Sequence, residues 1–366
     1  MIPVFPSDFD SILKRMEQIN PEKYAKTRNF ENGAITYLSP YISRGVIDTA
    51  TVFEYLKSLN LPFYKIEKLV QELAWRDYWQ QIWKTKGSAI DQDFKRTQPN
   101  IKNHGVPAAI VEARTGIQAV DQAIVSLKET GYMHNHMRMY VASICCNIGG
   151  SHWSNPAKWM YSLLLDGDWA SNALSWQWVA GSNANKKYFA NQDNINKYFS
   201  GAQKNSFLDT SYEDLVDMDI PPALRDIVHF EKETVLSKMD SKIEIREGRK
   251  TLIYNFYNLD PLWHKDADCN RILILEPSLF KKYPISEKVM NFVLALKENI
   301  SDVQVFVGDF VDLYPFIEKD EVIFKEHPSN RGYIGTEEPR NWMFSVQGYY
   351  PSFFKFWNKC KKEIKS

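Results

Sequence analysis

LLLDGDWASNALSWQW, residues 163–178, sets two aspartates, an asparagine and several indoles into one short segment. Carboxylates are seldom buried unless paired, whereas tryptophan is usually buried. Upstream, MHNHMRM at 133–139 places Asn135 and Arg138 three apart, hence on one helical face. A buried arginine needs a carboxylate, because an unpaired buried charge costs several kcal/mol, and Asp166 or Asp168 is the natural partner. From spacing alone, a structural ion pair closing two helices explains this more readily than a ligand site. Trp176 and Trp178 stand two apart, so on a helix they point to different faces. One can meet the interior and the other a cavity, where an aromatic face suits stacking on a planar base. Trp75, Trp79 and Trp83, spaced by four, read first as a packed stripe.

Working outward, residues 1–200 read mainly as helix. DFDSILKRMEQI, DTATVFEYLKSL and YKIEKLVQELAWRDYWQQIWKT carry apolar residues at three- and four-residue spacing. AVDQAIVSLKETGYM ends on a glycine suited to a helix C-terminus. HMRMYVASICCNI is apolar nearly all round, as a deeply buried helix is. AKWMYSLLL follows Pro156, tolerated near a helix start. After about residue 240 the character changes. TLIYNFY, RILILEP, VQVFVGDF and EVIFKEH are short β-branched runs, with the amphipathic SEKVMNFVLALKENI between the second and third. Strand, helix, strand predicts a parallel α/β unit. The expected plan is an all-helical domain over 1–220, a linker at 221–249 and an α/β domain with a C-terminal helix over 250–366. No GxGxxG or GxxxxGK[ST] loop argues for a nucleotide in the α/β part.

Composition narrows the class. The 366 residues are 44% hydrophobic and 14% aromatic, with 45 basic and 45 acidic side chains. Residues 1–200 hold 22 Lys+Arg against 18 Asp+Glu, and residues 201–240 hold 4 against 9. Any nucleic-acid binding must therefore use a local patch rather than bulk charge. No apolar run approaches the ~20 residues that span a bilayer, and the N-terminus lacks the pattern of a secretory signal. Cys145, Cys146, Cys269 and Cys360 fit no zinc spacing or disulfide framework. The expectation is a reducing, cytoplasmic setting, with no metal and no membrane.

The ordered set ITYLSPYISRG (35–45), ELAWRDYW (72–79), TGIQAVD (115–121), GYMHNHMRM (131–139), LLDGDWASNALSWQW (164–178) and YF (188–189) resembles the FAD-binding helical domain of the DNA photolyase/cryptochrome family. The likeness covers about residues 20–200 in family order and is most similar to the enzymes that repair cyclobutane pyrimidine dimers. It implies that Tyr24, Thr36, Leu38, Ser39 and Arg76 hold the FAD phosphates and ribitol, with hydroxyls and an arginine suited to pyrophosphate. Arg138 and Asp166 would pair beside the isoalloxazine ring, Asp168 would accept from its polar edge, and Asn172 would face N5 without adding charge. Glu72, Trp75, Asn135, Met139 and Trp178 would form the substrate pocket. The two indoles would stack on a flipped-out dimer, and Glu72 would stabilise the anion formed after electron arrival. His136 stands where relatives place an arginine that meets DNA phosphate; a mostly neutral histidine weakens that anchor by ~1 kcal/mol or more. The implied chemistry is electron donation from excited reduced FAD to the dimer, then electron return. The partner is DNA carrying pyrimidine dimers, and the protein is expected to be a monomer.

Four departures from the family qualify the reading. Its N-terminal antenna-binding α/β domain is not at the start of this chain; RILILEPSLFKKYPISEKVMNFVLAL instead resembles the opening of some photolyase-related α/β domains. That leaves an antenna chromophore open. Of the three-tryptophan electron chain, Trp176 and Trp153 match the inner two, and an ungapped count puts Asn100 at the third, so recombination would be faster. Trp159 or Tyr140 would be substitute ends of that chain. Leu69 replaces a tryptophan near the flavin. NALSWQW replaces NNGGWQW, and Lys186 and Lys187 enter the next loop. Histidines stand at the positions of Asn135 and Met139 in the (6-4) photolyases, and Met139 cannot transfer a proton. The alternative function is a cryptochrome-like blue-light receptor built on the same flavin pocket, which need not keep Glu72, Trp75, Met139 and Trp178.

Overall fold

The computed structural model describes residues 4–236 and 242–365. Helices α1 (Phe9–Glu17), α2 (Pro21–Thr27), α3 (Ser39–Ser43), α4 (Thr49–Ser58) and α5 (Phe63–Lys86) are followed by α6 (Ala108–Glu112), α7 (Gln118–Thr130), α8 (Asn135–Ser143), α9 (Ser154–Leu163) and α10 (Trp169–Ala180). After α11 (Gln192–Tyr198) and α12 (Tyr212–Val216) the chain turns to strand, helix and strand, and it ends in α13 (Pro277–Lys282), α14 (Glu287–Lys297) and α15 (Phe353–Lys365). The caps follow the sequence. Asp168 accepts from Ser171 N at the start of α10, and Gly181 at φ +85° ends it. Gly131 at φ +74° ends α7, where a Cβ would press into the Leu165 side chain. The apolar run after α8 does continue as helix, but it loosens into a π turn over Ile144–Ile148.

The strands are β1 (Val106–Pro107), β2 (Ile227–Val228), β3 (Thr251–Tyr254), β4 (Asn270–Leu275), β5 (Val303–Val307), β6 (Val322–Lys325) and β7 (Thr336–Glu338). The last five form a parallel sheet in the order β5-β4-β3-β6-β7. β3 and β4 are buried along their whole length, as strands covered on both faces are. Ile253, Ile272, Ile274, Phe306 and Phe324 form the core of one face. The four β-branched runs all prove to be strands. β7, with the sequence TEE, carries no apolar pattern and was not expected.

The chain's contacts divide it differently from the sequence plan. One compact unit comprises Asn20–Ile35 and Thr85–Glu231 with a short N-terminal piece; the other comprises Phe5–Ile19, Thr36–Lys84 and the chain from Lys232 onward. The helical span expected as one domain over 1–220 is therefore split, and most of α5 belongs with the parallel sheet. The expected linker at 221–249 is partly ordered, because β2 within it pairs antiparallel with β1. Residues 237–241 of that linker lie outside the described part.

Candidate functional site

In the unit that holds α7 to α12, the two polar motifs meet as their spacing demanded. Arg138 sits on α8, and one of its guanidinium nitrogens, Nη2, spans both carboxylate oxygens of Asp166 at 3.0 and 2.9 Å. Its Nε donates to Met133 O at 2.9 Å, which fixes the plane of the guanidinium. Of the two aspartates left open by the sequence, Asp166 is the partner. Asp168 is 2% exposed and serves as the α10 cap, accepting from Ser171 N and Oγ. One turn on, Asn172 donates its Nδ2 to Ala157 O at 2.9 Å. That bond uses one of the amide's two N–H groups and orients it, with its oxygen available as an acceptor.

The tryptophans of α10 separate as a spacing of two requires. Trp176 is buried, whereas Trp178 is 38% exposed and tilts against Tyr188 with ring centroids 5.7 Å apart. Asn135 is exposed, and Met139 and Tyr24 are half-buried. Tyr24 lies on α2 in this same unit. His136, expected to be a neutral and weakened phosphate anchor, is half-buried. Its Nδ1 lies 3.1 Å from Asn29 O, and its ring packs against Tyr140 and Tyr198 at 4.6 and 4.7 Å. Burial lowers its pKa, so it is neutral at pH 7. Trp153 is fully buried before α9 and donates its Nε1–H to Asp93 at 2.8 Å; Trp169 does the same to Asp91 at 2.7 Å. The two aspartates carry no periodic signal, so nothing in the sequence singles them out.

The remaining candidates lie in the sheet-containing unit. Thr36 and Leu38 lie in the loop into α3, and Ser39 is its first residue; Thr36 Oγ1 accepts from Leu38 N at 3.4 Å, and Leu38 is buried. The loop leaves α3 through Gly45 at φ +65°, where any Cβ would come within 2.4 Å of Tyr257 O. On α5, Glu72 pairs with Lys68 at 2.8 Å. Trp75 is half-buried, with one face of its indole covered. The ring of Phe353 from α15 stacks on it at 3.8 Å and 9°. Arg76 donates to Ser43 Oγ at 2.8 Å. Next to it Asp77 is buried, accepting from Thr49 Oγ1 at 2.9 Å and from Met343 N at 3.2 Å, and burial pushes its pKa up to about 6.

Arg76, Asp77 and Ser43 line a crevice of about 360 Å³ together with Asn258, Lys325 and Arg340. Asn258 follows β3 and Lys325 ends β6, so the crevice opens at the carboxyl ends of the two strands between which the sheet order reverses. Open α/β sheets bind ligands at that place. Among the described residues no group of His, Cys, Asp or Glu is placed to hold a metal, and no helix is long and apolar enough to cross a membrane.

Residues 69–211 match the family described as the FAD binding domain of DNA photolyase. The deoxyribodipyrimidine photo-lyase of Neurospora crassa is 32% identical over 193 residues, covering 48% of this chain and 31% of that protein. That of Streptomyces griseus is 31% identical over 150 residues, covering 41% and 32%. The cryptochrome DASH of Danio rerio is 30% identical over 176 residues, covering 43% and 32%. Among solved structures, the Synechocystis sp. PCC6803 cryptochrome is 24% identical with a TM-score of 0.48, over 54% of this chain and 44% of that one. The chain spans about a third of the length of the curated relatives named here.

Proposed function

We propose, for a chain that belongs to the DNA photolyase/cryptochrome family through the FAD-binding domain at residues 69–211, that it repairs cyclobutane pyrimidine dimers in DNA under light, as a monomeric deoxyribodipyrimidine photolyase. The observation that carries the reading is the Arg138–Asp166 pair with Asn172 oriented one turn beyond Asp168. These residues fit FAD. The ion pair, its Asp166 buried and its Arg138 half-buried, is internally neutral, and Asn172 offers an uncharged acceptor, suited to the N–H of a reduced flavin. Asp168 adds a carboxylate for the ring's polar edge. Tyr24, Thr36, Leu38, Ser39 and Arg76 would hold the phosphates and ribitol. Bound FAD in its reduced form supplies the light-driven electron.

The rest falls to the protein. Trp178 presents an open indole face on which a base stacks, a contact worth about 1–3 kcal/mol. Glu72 would release Lys68 to hydrogen-bond the dimer, with Asn135 and Met139 shaping the pocket. His136, neutral and held by Asn29, gives no strong phosphate anchor. Trp176 and Trp153 would carry electrons to restore the reduced cofactor.

The reduced protein, mixed with a thymine-dimer oligonucleotide under blue light, is expected to restore thymines. Glu72→Ala is expected to lower the repair yield with flavin binding intact. Trp176→Phe is expected to block photoreduction but not repair by chemically reduced protein. FAD release on denaturation without repair of single- or double-stranded DNA would transfer the site to the second reading, a cryptochrome-like blue-light receptor. One observation favours that reading: the Phe353 ring occupies a face of Trp75.

A further inference from the structure

On the ungapped count that puts Asn100 at the third position, the tryptophan chain ends at two members, and a short chain loses its separated charge quickly. The surroundings of Trp153 offer another way to keep it. The indole is fully buried, and its Nε1–H points at Asp93 Oδ1 at 2.8 Å. The same oxygen lies 3.3 Å from His152 Nε2. The other carboxylate oxygen accepts from Gln98 N at 2.8 Å, and Gln98 Oε1 accepts from Trp153 N at 2.9 Å, so carboxylate and indole share one frame. His152 Nδ1 accepts from Ser154 N at 3.3 Å, which leaves the histidine proton on Nε2, directed at Asp93. Burial lowers the His152 pKa, so the ring is neutral at pH 7. The ring of His104, an exposed residue, lies 5.3 Å from that of His152.

An indole that has lost an electron is a far stronger acid than indole itself, and its acidic proton is the one on nitrogen. We propose that Asp93 is the proton acceptor that traps the oxidised form of Trp153, and that proton transfer replaces distance as the means of holding charge apart. The inference rests on the flavin reading above. When Trp176 has been oxidised by a photoexcited oxidised flavin, an electron passes from Trp153 to Trp176. The Nε1–H bond of Trp153 breaks, its proton moves to Asp93 Oδ1, and a neutral indolyl radical and a carboxylic acid remain. Return of the electron then requires return of the proton. His152 is a positioning residue, its Nε2 lying 3.3 Å from Asp93 Oδ1 and holding the carboxylate against the indole.

Transient absorption of the flavin-loaded protein tests this. Wild type is expected to show the neutral tryptophan radical, formed more slowly in D2O. Asp93→Asn keeps a hydrogen-bond acceptor but lacks the base. It is expected to show the radical cation instead, with a shorter recombination lifetime than wild type. Equal spectra and lifetimes in wild type and Asp93→Asn would overturn the proposal. So would a wild-type radical formed at the same rate in D2O, a measurement that needs no variant. Resonance Raman of the indole N–H in the dark confirms that the variant keeps the hydrogen bond. Failure of the purified wild type to take up FAD would bring down the flavin reading itself, with this inference, whereas flavin-loaded protein that shows no tryptophan radical, or a cation in both proteins, removes the inference alone.

Discussion

Trp178 and Trp75 were expected to play one part, two indoles walling a pocket, and the structure gives them opposite surroundings. Trp178 keeps an open face, with Tyr188 tilted beside it. Trp75 carries a parallel phenyl ring at 3.8 Å, the contact a flat base would make. Residue type and helical position are the same kind of information for both. The difference comes from α15, a helix far along the chain whose Phe353, Phe356, Trp357 and Cys360 are buried. Motif likeness reports what a helix offers. It does not report what the rest of the chain has laid over it.

The largest expected effect tests the covered side. Phe353 is 2% exposed and touches Trp75, Tyr78 and Trp357 by ring contacts. Phe353→Ala is expected to cost about 4 kcal/mol of stability, from lost transfer energy and the cavity left behind. Urea unfolding measures it, and tryptophan emission is expected to shift to the red as Trp75 gains water. If repair rises at the same time, α15 is a cover over a working substrate face. If repair is unchanged, Trp75 is core and Trp178 alone offers stacking.

The sequence exposed what depends on local order and hid what depends on distant partners. Arg138 and Asp166 were legible because a buried guanidinium demands a carboxylate and only two stood nearby. The Asp168 cap and the Gly131 and Gly181 stops follow from short-range rules, and the β-branched runs of β3 to β6 announced their sheet. Phe353 on Trp75 could not be read this way, since an aromatic in an amphipathic helix has no preferred partner in sequence. Asp91 and Asp93 sit in a loop without periodicity, so nothing marked them as acceptors for Trp169 and Trp153. The split of the helical span has the same cause: α5 is apolar on several faces, and pattern alone did not say which neighbour would bury each.

A pH titration sharpens the comparison next, because Asp77 fastens the segment that leads to α15. Its carboxylate accepts from Met343 N and Thr49 Oγ1, with the Arg340 and Arg76 charges nearby, and burial still raises its pKa from 3.8 to about 6. Between those values the folded state binds more protons than the unfolded one, so stability falls as pH rises through the window and is greatest below it. The total is about 3 kcal/mol, spread over pH 4 to 6, at 1.36 kcal/mol per unit of pKa difference. Asp77→Asn is expected to flatten that part of the stability–pH curve. An unchanged slope in the variant would show that another group carries it.

The smallest stability effect is expected at the open indole, and it separates the two sides most cleanly. Trp178 is exposed and makes one tilted ring contact, so Trp178→Ala is expected to change stability by less than about 1 kcal/mol. Its loss of dimer-oligonucleotide affinity is expected to be larger, about 1–3 kcal/mol for a single stacking platform. A filter-binding or fluorescence titration with damaged and undamaged strands reads that difference. A structural tryptophan would give the reverse pattern, with stability lost and affinity kept. The pairing of small stability change with large affinity change is what an uncovered aromatic face produces, and at Trp75 the Phe353 ring stands in the way of the same measurement until it is removed.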